Sequence, residues 1–212
     1  MAGFPRVIAR GGQHEIEILK SRFICTVERA SSEDEARTFL ERLRKQYWDA
    51  NHNCYAYIIG ERGQQQKASD DGEPSGTAGV PMLEVLKRRE LIDTIAVVTR
   101  YFGGTKLGAG GLIRAYGRSV TEAIDEVGIV ERRPRAIVEI AVDHASAGRL
   151  ENSFRNSIYT LADIRYEHAV TFVTHLPDEE VPALNAWLAE QTNGAIQGTV
   201  IGHAIVEIPV ES

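Results

Sequence analysis

The chain has 212 residues, of which 43% are hydrophobic and 25% are charged, a composition typical of globular proteins and not of disordered or fibrous ones. No stretch approaches the roughly 20 consecutive apolar residues that span a bilayer, and Met1–Arg10 lacks the apolar core of a signal peptide. The sequence therefore predicts a cytoplasmic protein with no membrane partner, and its two cysteines are too few for a disulfide framework. The net charge is −6.

Hydrophobic residues at every second position near the N terminus predict two half-buried strands joined in a hairpin. These residues are Ile16, Ile18, Phe23, Cys25 and Val27. Ser32 and Glu35 have the spacing of a capping box, ahead of a helical pattern that predicts a helix over 33–46. A third strand is expected over 53–59.

His52 and Cys54 lie two residues apart at this third strand, so their side chains are expected on the same face of the sheet. A neighbouring imidazole can lower the pKa of a thiol, which would allow nucleophilic catalysis. However, no third residue that would orient such a pair is visible, and a buried cysteine is usually inert. The two residues are therefore accessory candidates, and no catalytic residue is predicted.

A polar stretch over 61–79 is predicted to be a long loop, of the kind that is often functional or else disordered. Its polar candidates for a site are Ser69, Asp70, Asp71, Glu73 and Ser75. Three carboxylates this close could attract a divalent cation, but the calcium-loop spacing is absent, and acidic residues in such segments usually shape turns and cap amides. No metal is predicted. A short helix with Pro81 in its first turn and a basic last turn follows.

A strong strand over 92–102 and an amphipathic helix from Leu112 to Val127 flank a glycine-rich loop, which spans Gly103–Gly111. Five of its nine residues are glycines: Gly103, Gly104, Gly108, Gly110 and Gly111. Glycine costs chain entropy, so this density calls for a reason. One reason is a backbone brought close to an anion, with free amides at the start of the helix facing that anion.

Basic and polar side chains around the glycines complete the predicted anion or nucleic-acid site. They are Arg100, Thr105, Lys106 and Arg114. A tight turn with a solvated basic face is the alternative. The Walker and dinucleotide fingerprints both fail, since Ala109 follows Gly108 and Ile113 occupies the place of the third glycine or alanine. No nucleotide cofactor is predicted.

The second half of the chain has the element order of a ferredoxin-like domain, βαββαβ. The pattern predicts strands over 136–142, 160–166, 169–176 and 200–210, and helices over 145–156 and from about residue 178. The absence of cysteine from this half excludes a thiolate-held iron-sulfur cluster. A charged connector that ends at Pro134 divides the chain into predicted domains 1–133 and 134–212. The first has 20 basic and 19 acidic residues, and the second has 4 and 11.

The motifs around the glycine loop resemble those of a known family. The run from Val97 to Tyr116, VVTRYFGGTKLGAGGLIRAY, is similar to the signature of the IMPACT/YigZ family, and supporting matches occur at Lys20–Ile24, His52–Tyr57 and Ser69–Gly79. The resemblance covers nearly the whole chain in the bacterial two-domain arrangement. It implies an α+β fold in which the first domain is like the second domain of the fifth small-subunit ribosomal protein and domain IV of elongation factor G. The second domain would resemble domain V of that factor.

The resemblance implies a role in translation, because the family's eukaryotic member is similar to a translation regulator. RNA or ribosome binding follows only by analogy of fold. We therefore expect a translation-associated regulatory protein that contacts RNA or ribosomal phosphate through the glycine-rich loop, without DNA sequence specificity. Its acidic second domain is expected either to limit non-specific adhesion or to contact a protein partner. Two alternatives stay open. One is an enzyme acting on a phosphorylated or carboxylated small molecule in the cleft between loops 69–79 and 103–111, and the other is a protein-interaction module.

Overall fold

A computed structural model describes residues 3–210 of the chain and shows a mixed α+β protein. These residues form two compact units. The first unit contains residues 3–132 and 207–210, and the second contains residues 133–206. Among the helices described, none combines the length and the apolarity that crossing a bilayer requires.

The first unit is built on a five-stranded antiparallel sheet in the order β2-β3-β6-β4-β5. The strands of this unit are β1 Arg6–Ile8, β2 Gly12–Ile18, β3 Ser21–Arg29, β4 His52–Ile59, β5 Gln65–Ser69 and β6 Thr94–Tyr101. Its helices are α1 Glu33–Gln46, α2 Gly79–Arg88 and α3 Gly108–Val127. The central strand, β6, therefore leads directly from the middle of the sheet into the glycine-rich segment.

Helices cover both faces of this sheet, which explains why β6 reads as an almost continuous apolar run. On one face, α2 and α3 bury side chains such as Met82 and Tyr116 together with Cys25 and Cys54 of the strands. On the other face, α1 packs Phe39 and its neighbours against β4 and β6. All but the last residue of β6 are buried.

The second unit has the βαββαβ order predicted from the sequence. Its elements are β7 Ile129–Val142, α4 His144–Arg155, β8 Leu161–Tyr166, β9 Val170–Leu176, a 3₁₀ turn Asp178–Glu180, α5 Val181–Thr192 and β10 Gly198–Pro209. The strand order β8-β9-β7-β10 is that of a ferredoxin-like sheet. The helices bury Phe154, Leu184 and Leu188 with Phe172 of β9 in one core. The strand predicted to start at residue 136 begins at Ile129, and its residues 129–131, which belong to the first unit, pair with β1.

Two differences from the sequence expectations affect the candidate site. The segment 61–79, expected to be a loop throughout, contains β5, which pairs antiparallel with β4. Its exposed residues are mostly polar because β5 lies at the edge of the sheet, so the strand has no apolar alternation to reveal it. The helix expected from Leu112 already begins at Gly108, which places three of the five glycines in its first turn.

Candidate functional site

The glycine-rich segment leaves β6 through a turn that requires glycine for structural reasons. A Cβ atom at Gly103 would lie 2.0 Å from the carbonyl carbon of Lys20, so only glycine fits against that backbone. The amide of Gly103 also donates to Ser21 Oγ at 3.1 Å. Gly104, with a φ of 87°, is in the left-handed region that favours glycine. The fold alone therefore explains two of the five glycines of this segment.

The N terminus of α3 is open. The helix is 20 residues long, no side chain caps its first turn, and that turn has no acidic residue. Within residues 3–210, the amides of Gly108, Ala109 and Gly110 have no hydrogen-bond acceptor. Free amides and the helix dipole together give this end a positive potential that suits an anion.

Gly110 and Gly111 lie in this first turn for different reasons. A Cβ atom at Gly111 would meet Leu107 Cβ at 2.9 Å, so packing explains that glycine. At Gly110 a Cβ atom would meet only Arg114 Nη1, at a comfortable 3.6 Å. Packing therefore does not require glycine at position 110, whereas the approach of a ligand to the backbone would. The same distance places the guanidinium of Arg114 beside the first turn of α3.

Lys106 and Arg114 are the basic side chains that remain available at this end of the helix. Both residues are exposed, as is Thr105, and neither cation has an ion-pair partner within the part of the chain that the structure describes. Arg118, one turn further along α3, differs because it pairs with Glu122 at 2.6 Å.

Arg100, predicted to contact a phosphate, is instead buried in an ion pair. Its Nη1 lies 2.5 Å from Glu73 Oε1, and the two side chains are only 6% and 4% exposed. The Tyr116 hydroxyl donates to the same carboxylate oxygen at 2.7 Å. The Arg100 Nε is buried and has no acceptor among the described residues. Sequence reasoning could not find this pairing, since Arg100 and Glu73 are 27 residues apart.

The carboxylate of Asp70 organises the segment 69–79. It accepts hydrogen bonds from three backbone amides, which belong to Gly76, Ala78 and Gly79. Burial would raise the pKa of the Asp70 carboxyl, but these three amides outweigh that effect and hold the pKa below its ordinary value. Asp70 thus shapes the turn, as the sequence predicted for the acidic residues of this segment.

The other polar candidates of this segment have separate partners. Asp71 accepts from Arg44 at 2.8 Å and from the amide of Asn53 at 2.7 Å. Ser69 Oγ accepts from the amide of Asp71 at 3.4 Å, whereas Ser75 is exposed. In residues 3–210 no three His, Cys, Asp or Glu side chains are grouped as a metal site would need.

His52 and Cys54 do not form an activated pair. Burial is the main cause that raises the pKa of the Cys54 thiol to about 12, so the thiol is protonated at neutral pH. Its Sγ donates to the carbonyl oxygen of Asp70 at 2.9 Å. His52 instead donates from Nδ1 to the carbonyl oxygen of Asp71 at 2.8 Å, and its Nε2 lies 3.9 Å from Glu73 Oε2. The possibility of a thiolate nucleophile at Cys54 is therefore not supported.

A pocket of about 420 Å³ lies between the segments 69–79 and 103–111. Its lining consists of Asn51, His52, Glu73, Pro74, Arg100, Phe102, Lys106, Leu107, Gly108, Ala109 and Leu112. The pocket therefore brings together the open end of α3, the buried Arg100 and two of the accessory candidates, Glu73 and His52. The lining residues that the predicted site did not include are Asn51, Pro74, Phe102, Leu107, Ala109 and Leu112. Only Phe102, an aromatic residue at the end of a strand next to glycines, gave a signal that could have been noticed.

Comparison with known families agrees with this division of the chain. The Impact N-terminal domain family matches residues 19–124, a range that includes the whole pocket. A second match, to a domain of unknown function designated DUF1949, covers residues 140–195. The two matches fall in the first and the second unit respectively.

Individual relatives match most of the chain. IMPACT family member YvyE of Bacillus subtilis is 54% identical over 88% of this chain and 86% of its own length. IMPACT family member YigZ of Escherichia coli is 34% identical over 85% of this chain and 90% of its own length. A crystal structure of a hypothetical protein, 31% identical, covers 95% of this chain and 99% of that one with a TM-score of 0.59. The chain therefore belongs to the IMPACT family.

Proposed function

We propose that this chain is a cytoplasmic, translation-associated regulatory protein that binds RNA or ribosomal phosphate at the N terminus of α3. The observation that carries the proposal is the uncapped first turn of α3, beside the unpaired cations Lys106 and Arg114 within the described residues. Free amides and mobile cations at one point are the usual protein partners of a phosphate group. The association with translation rests on the family resemblance.

The charge distribution supports a local site on a molecule that otherwise repels polyanions. The chain carries a net charge of −6, yet no acidic residue occurs between Thr94 and Thr121. A local positive potential of this kind attracts phosphate without general adhesion to nucleic acid. Because these contacts would go to phosphates and not to the edges of paired bases, no DNA sequence specificity is expected. The acidic second domain would limit non-specific binding or contact a protein partner.

Replacing Lys106 tests the proposal. Lys106→Ala removes one phosphate contact, so RNA affinity should fall and the slope of log affinity against log salt should become shallower by about 0.7 to 0.9. Fluorescence anisotropy of a labelled single-stranded RNA, titrated at several salt concentrations, measures both quantities.

Lys45→Ala is the matched control. Lys45 is an exposed lysine of α1, and its substitution leaves the α3 N terminus unchanged. It should leave both the affinity and the slope as they are in the unsubstituted chain. Equal behaviour of the two variants would show that Lys106 makes no phosphate contact.

The pocket favours a second candidate, an enzyme acting on a small phosphorylated or carboxylated molecule. Its volume of about 420 Å³ is within the range of small-molecule sites, and Glu73 and Pro74 of one segment face Lys106 and Gly108 of the other across it. His52 and Glu73 would be its acid-base candidates, since the Cys54 thiol is protonated. A phosphate ester that is turned over by the chain would favour this candidate over RNA binding.

A further inference from the structure

The pocket beside α3 has features that a phosphate alone does not use. Five of its lining side chains are apolar, and the largest of them are Phe102, Leu107 and Leu112. We infer that the site takes one unstacked nucleotide, with its phosphate at the N terminus of α3 and its base in the pocket against Phe102. This inference rests on the proposed phosphate site and adds the class of group that the phosphate belongs to.

Phe102 supplies a surface for stacking. It directly follows β6 and is 47% exposed, although it borders a pocket with apolar walls. The guanidinium carbon of Arg100 lies 5.6 Å from the centroid of the Phe102 ring, so the buried cation makes a cation–π contact with one face of the ring. Aromatic side chains next to phosphate contacts are the usual platforms for the bases of single-stranded nucleic acids.

Asn51 supplies an oriented hydrogen-bond donor at the pocket. The amide N–H of Phe102 donates to Asn51 Oδ1 at 2.7 Å, which fixes the orientation of the side-chain amide. The NH₂ group of Asn51 is then left as a donor, and no acceptor for it occurs within residues 3–210.

His52 supplies the complementary acceptor. Its Nδ1 donates to the carbonyl oxygen of Asp71, so in the neutral ring Nε2 carries a lone pair. Both Asn51 and His52 line the pocket. The pocket wall therefore carries one donor and one acceptor, the two kinds of group that pair with the Watson–Crick edge of a base.

Arg100 adds a buried cation with an unsatisfied donor to the wall of the pocket. The residue is 5% exposed and lines the pocket, and its Nε has no acceptor among the described residues. A buried guanidinium N–H without an acceptor is costly, since such groups are almost always hydrogen-bonded.

The pocket also sets limits on the form of the nucleic acid. A base in a duplex is stacked and paired, so it cannot enter a pocket on a protein surface without being extruded. A single strand offers its bases freely, and so does a free nucleotide. These two sources share the same chemistry, and the experiment must separate them.

The test compares three probes by anisotropy or competition at one salt concentration. They are a single-stranded oligouridylate, an abasic strand of the same length and charge, and uridine monophosphate. The oligouridylate should bind about tenfold more tightly than the abasic strand. Phe102→Ala should remove this difference without changing the salt slope, and Phe102→Tyr, which keeps the ring, should restore it. Tyr166→Ala, at an exposed aromatic residue of the second unit, is the control.

The outcomes separate this inference from the proposed function. Equal affinity for the abasic strand and the oligouridylate would overturn the base pocket and leave the phosphate site standing. No binding of either strand or of the monophosphate would overturn both. If the base-bearing probes bind better and Phe102→Ala abolishes the gain, the inference holds. In that case, a monophosphate that binds as tightly as the strand assigns the site to a free nucleotide, and a much weaker one assigns it to RNA.

Discussion

The ion pair between Arg100 and Glu73 is the most heavily buried charge interaction of the first unit for which a geometry is described. Taking both charges out of water is costly, so such a pair adds little net stability compared with apolar residues. The ion pair is important because of the elements that it connects. Glu73 also accepts the Tyr116 hydroxyl of α3, so one carboxylate connects the segment 69–79, β6 and the helix that would hold the anion.

Removing the charge of Glu73 should strongly destabilise the first unit. Glu73→Gln leaves Arg100 buried without a counter-charge, a situation that typically costs about 3 to 5 kcal/mol of unfolding free energy. Urea unfolding followed by circular dichroism measures the loss.

Glu84→Gln is the matched control for this substitution. It breaks the exposed pair with Lys87, whose side chain is 42% exposed, and should cost less than about 1 kcal/mol. If the two variants lose the same small amount, Arg100 is solvated in solution and does not depend on Glu73.

Short sequence motifs predicted the ends of a helix or strand well where one motif determines that end. The capping box is an example: Ser32 Oγ accepts from the amide of Glu35, and α1 spans Glu33–Gln46 as expected. The start of α3 was predicted four residues too late, because glycines disfavour a helix in isolation. Packing of the rest of α3 on the sheet outweighs that preference, and no local rule contains this packing.

His14 connects β2 to α3 and makes the stability of this contact depend on pH. Its Nδ1 lies 2.7 Å from Glu126 Oε2 and its Nε2 lies 3.1 Å from Glu122 Oε2. The hydrogen bond to Glu126, helped by Glu122, raises the pKa of His14 above its ordinary value of 6.5 in spite of some burial. A raised pKa means that the folded state binds the proton more tightly than the unfolded state. The stabilisation is therefore complete below 6.5 and is lost as the pH rises through the folded pKa.

We expect the effect of His14→Gln on unfolding free energy to depend on pH in the same direction. The variant should be less stable than the unsubstituted chain at about pH 5.5, and the difference should shrink by about pH 8.5. Urea unfolding at the two pH values measures it, with His168→Gln in the second unit as the control. A difference that grows with pH would show that these glutamates do not stabilise the protonated imidazole.

The architecture of the whole molecule was predictable to the extent that it depends on element order. Alternating patterns and one charged connector sufficed for an α+β protein of two units, and the βαββαβ order of the second unit follows from its periodicity alone. The grouping of residues 207–210 with the first unit was not predictable, because it depends on contacts with residues far away in the sequence. The sequence predicted a cleft between the segments 69–79 and 103–111, but it did not predict that Asn51 and Phe102 line it, since this depends on how the sheet brings distant residues together.

Substitution of Glu207 tests which of the two units is stabilised by the C-terminal end of β10. Its carboxylate accepts from both terminal nitrogens of Arg29, at 2.8 and 2.9 Å, and from Arg132 Nε at 3.4 Å. These three residues all lie in the first unit. Glu207→Gln weakens a bidentate, partly exposed ion pair, so amides of β1 and β3 should exchange with deuterium a few-fold faster. Amides of β9, in the second unit, should exchange at an unchanged rate.

Hydrogen exchange measured by mass spectrometry resolves these strands in one experiment. Arg165→Gln provides the opposite case, because Arg165 pairs with Glu139 inside the second unit at 2.8 Å. That variant should speed exchange in β9 and leave β3 unchanged. If Glu207→Gln instead affected β9 alone, the end of β10 would belong energetically to the domain 134–212 that the sequence predicts. The ion pair with Arg29 would then contribute nothing to the first unit, since a contact that stabilises a folded unit must slow the opening of the strands that it holds.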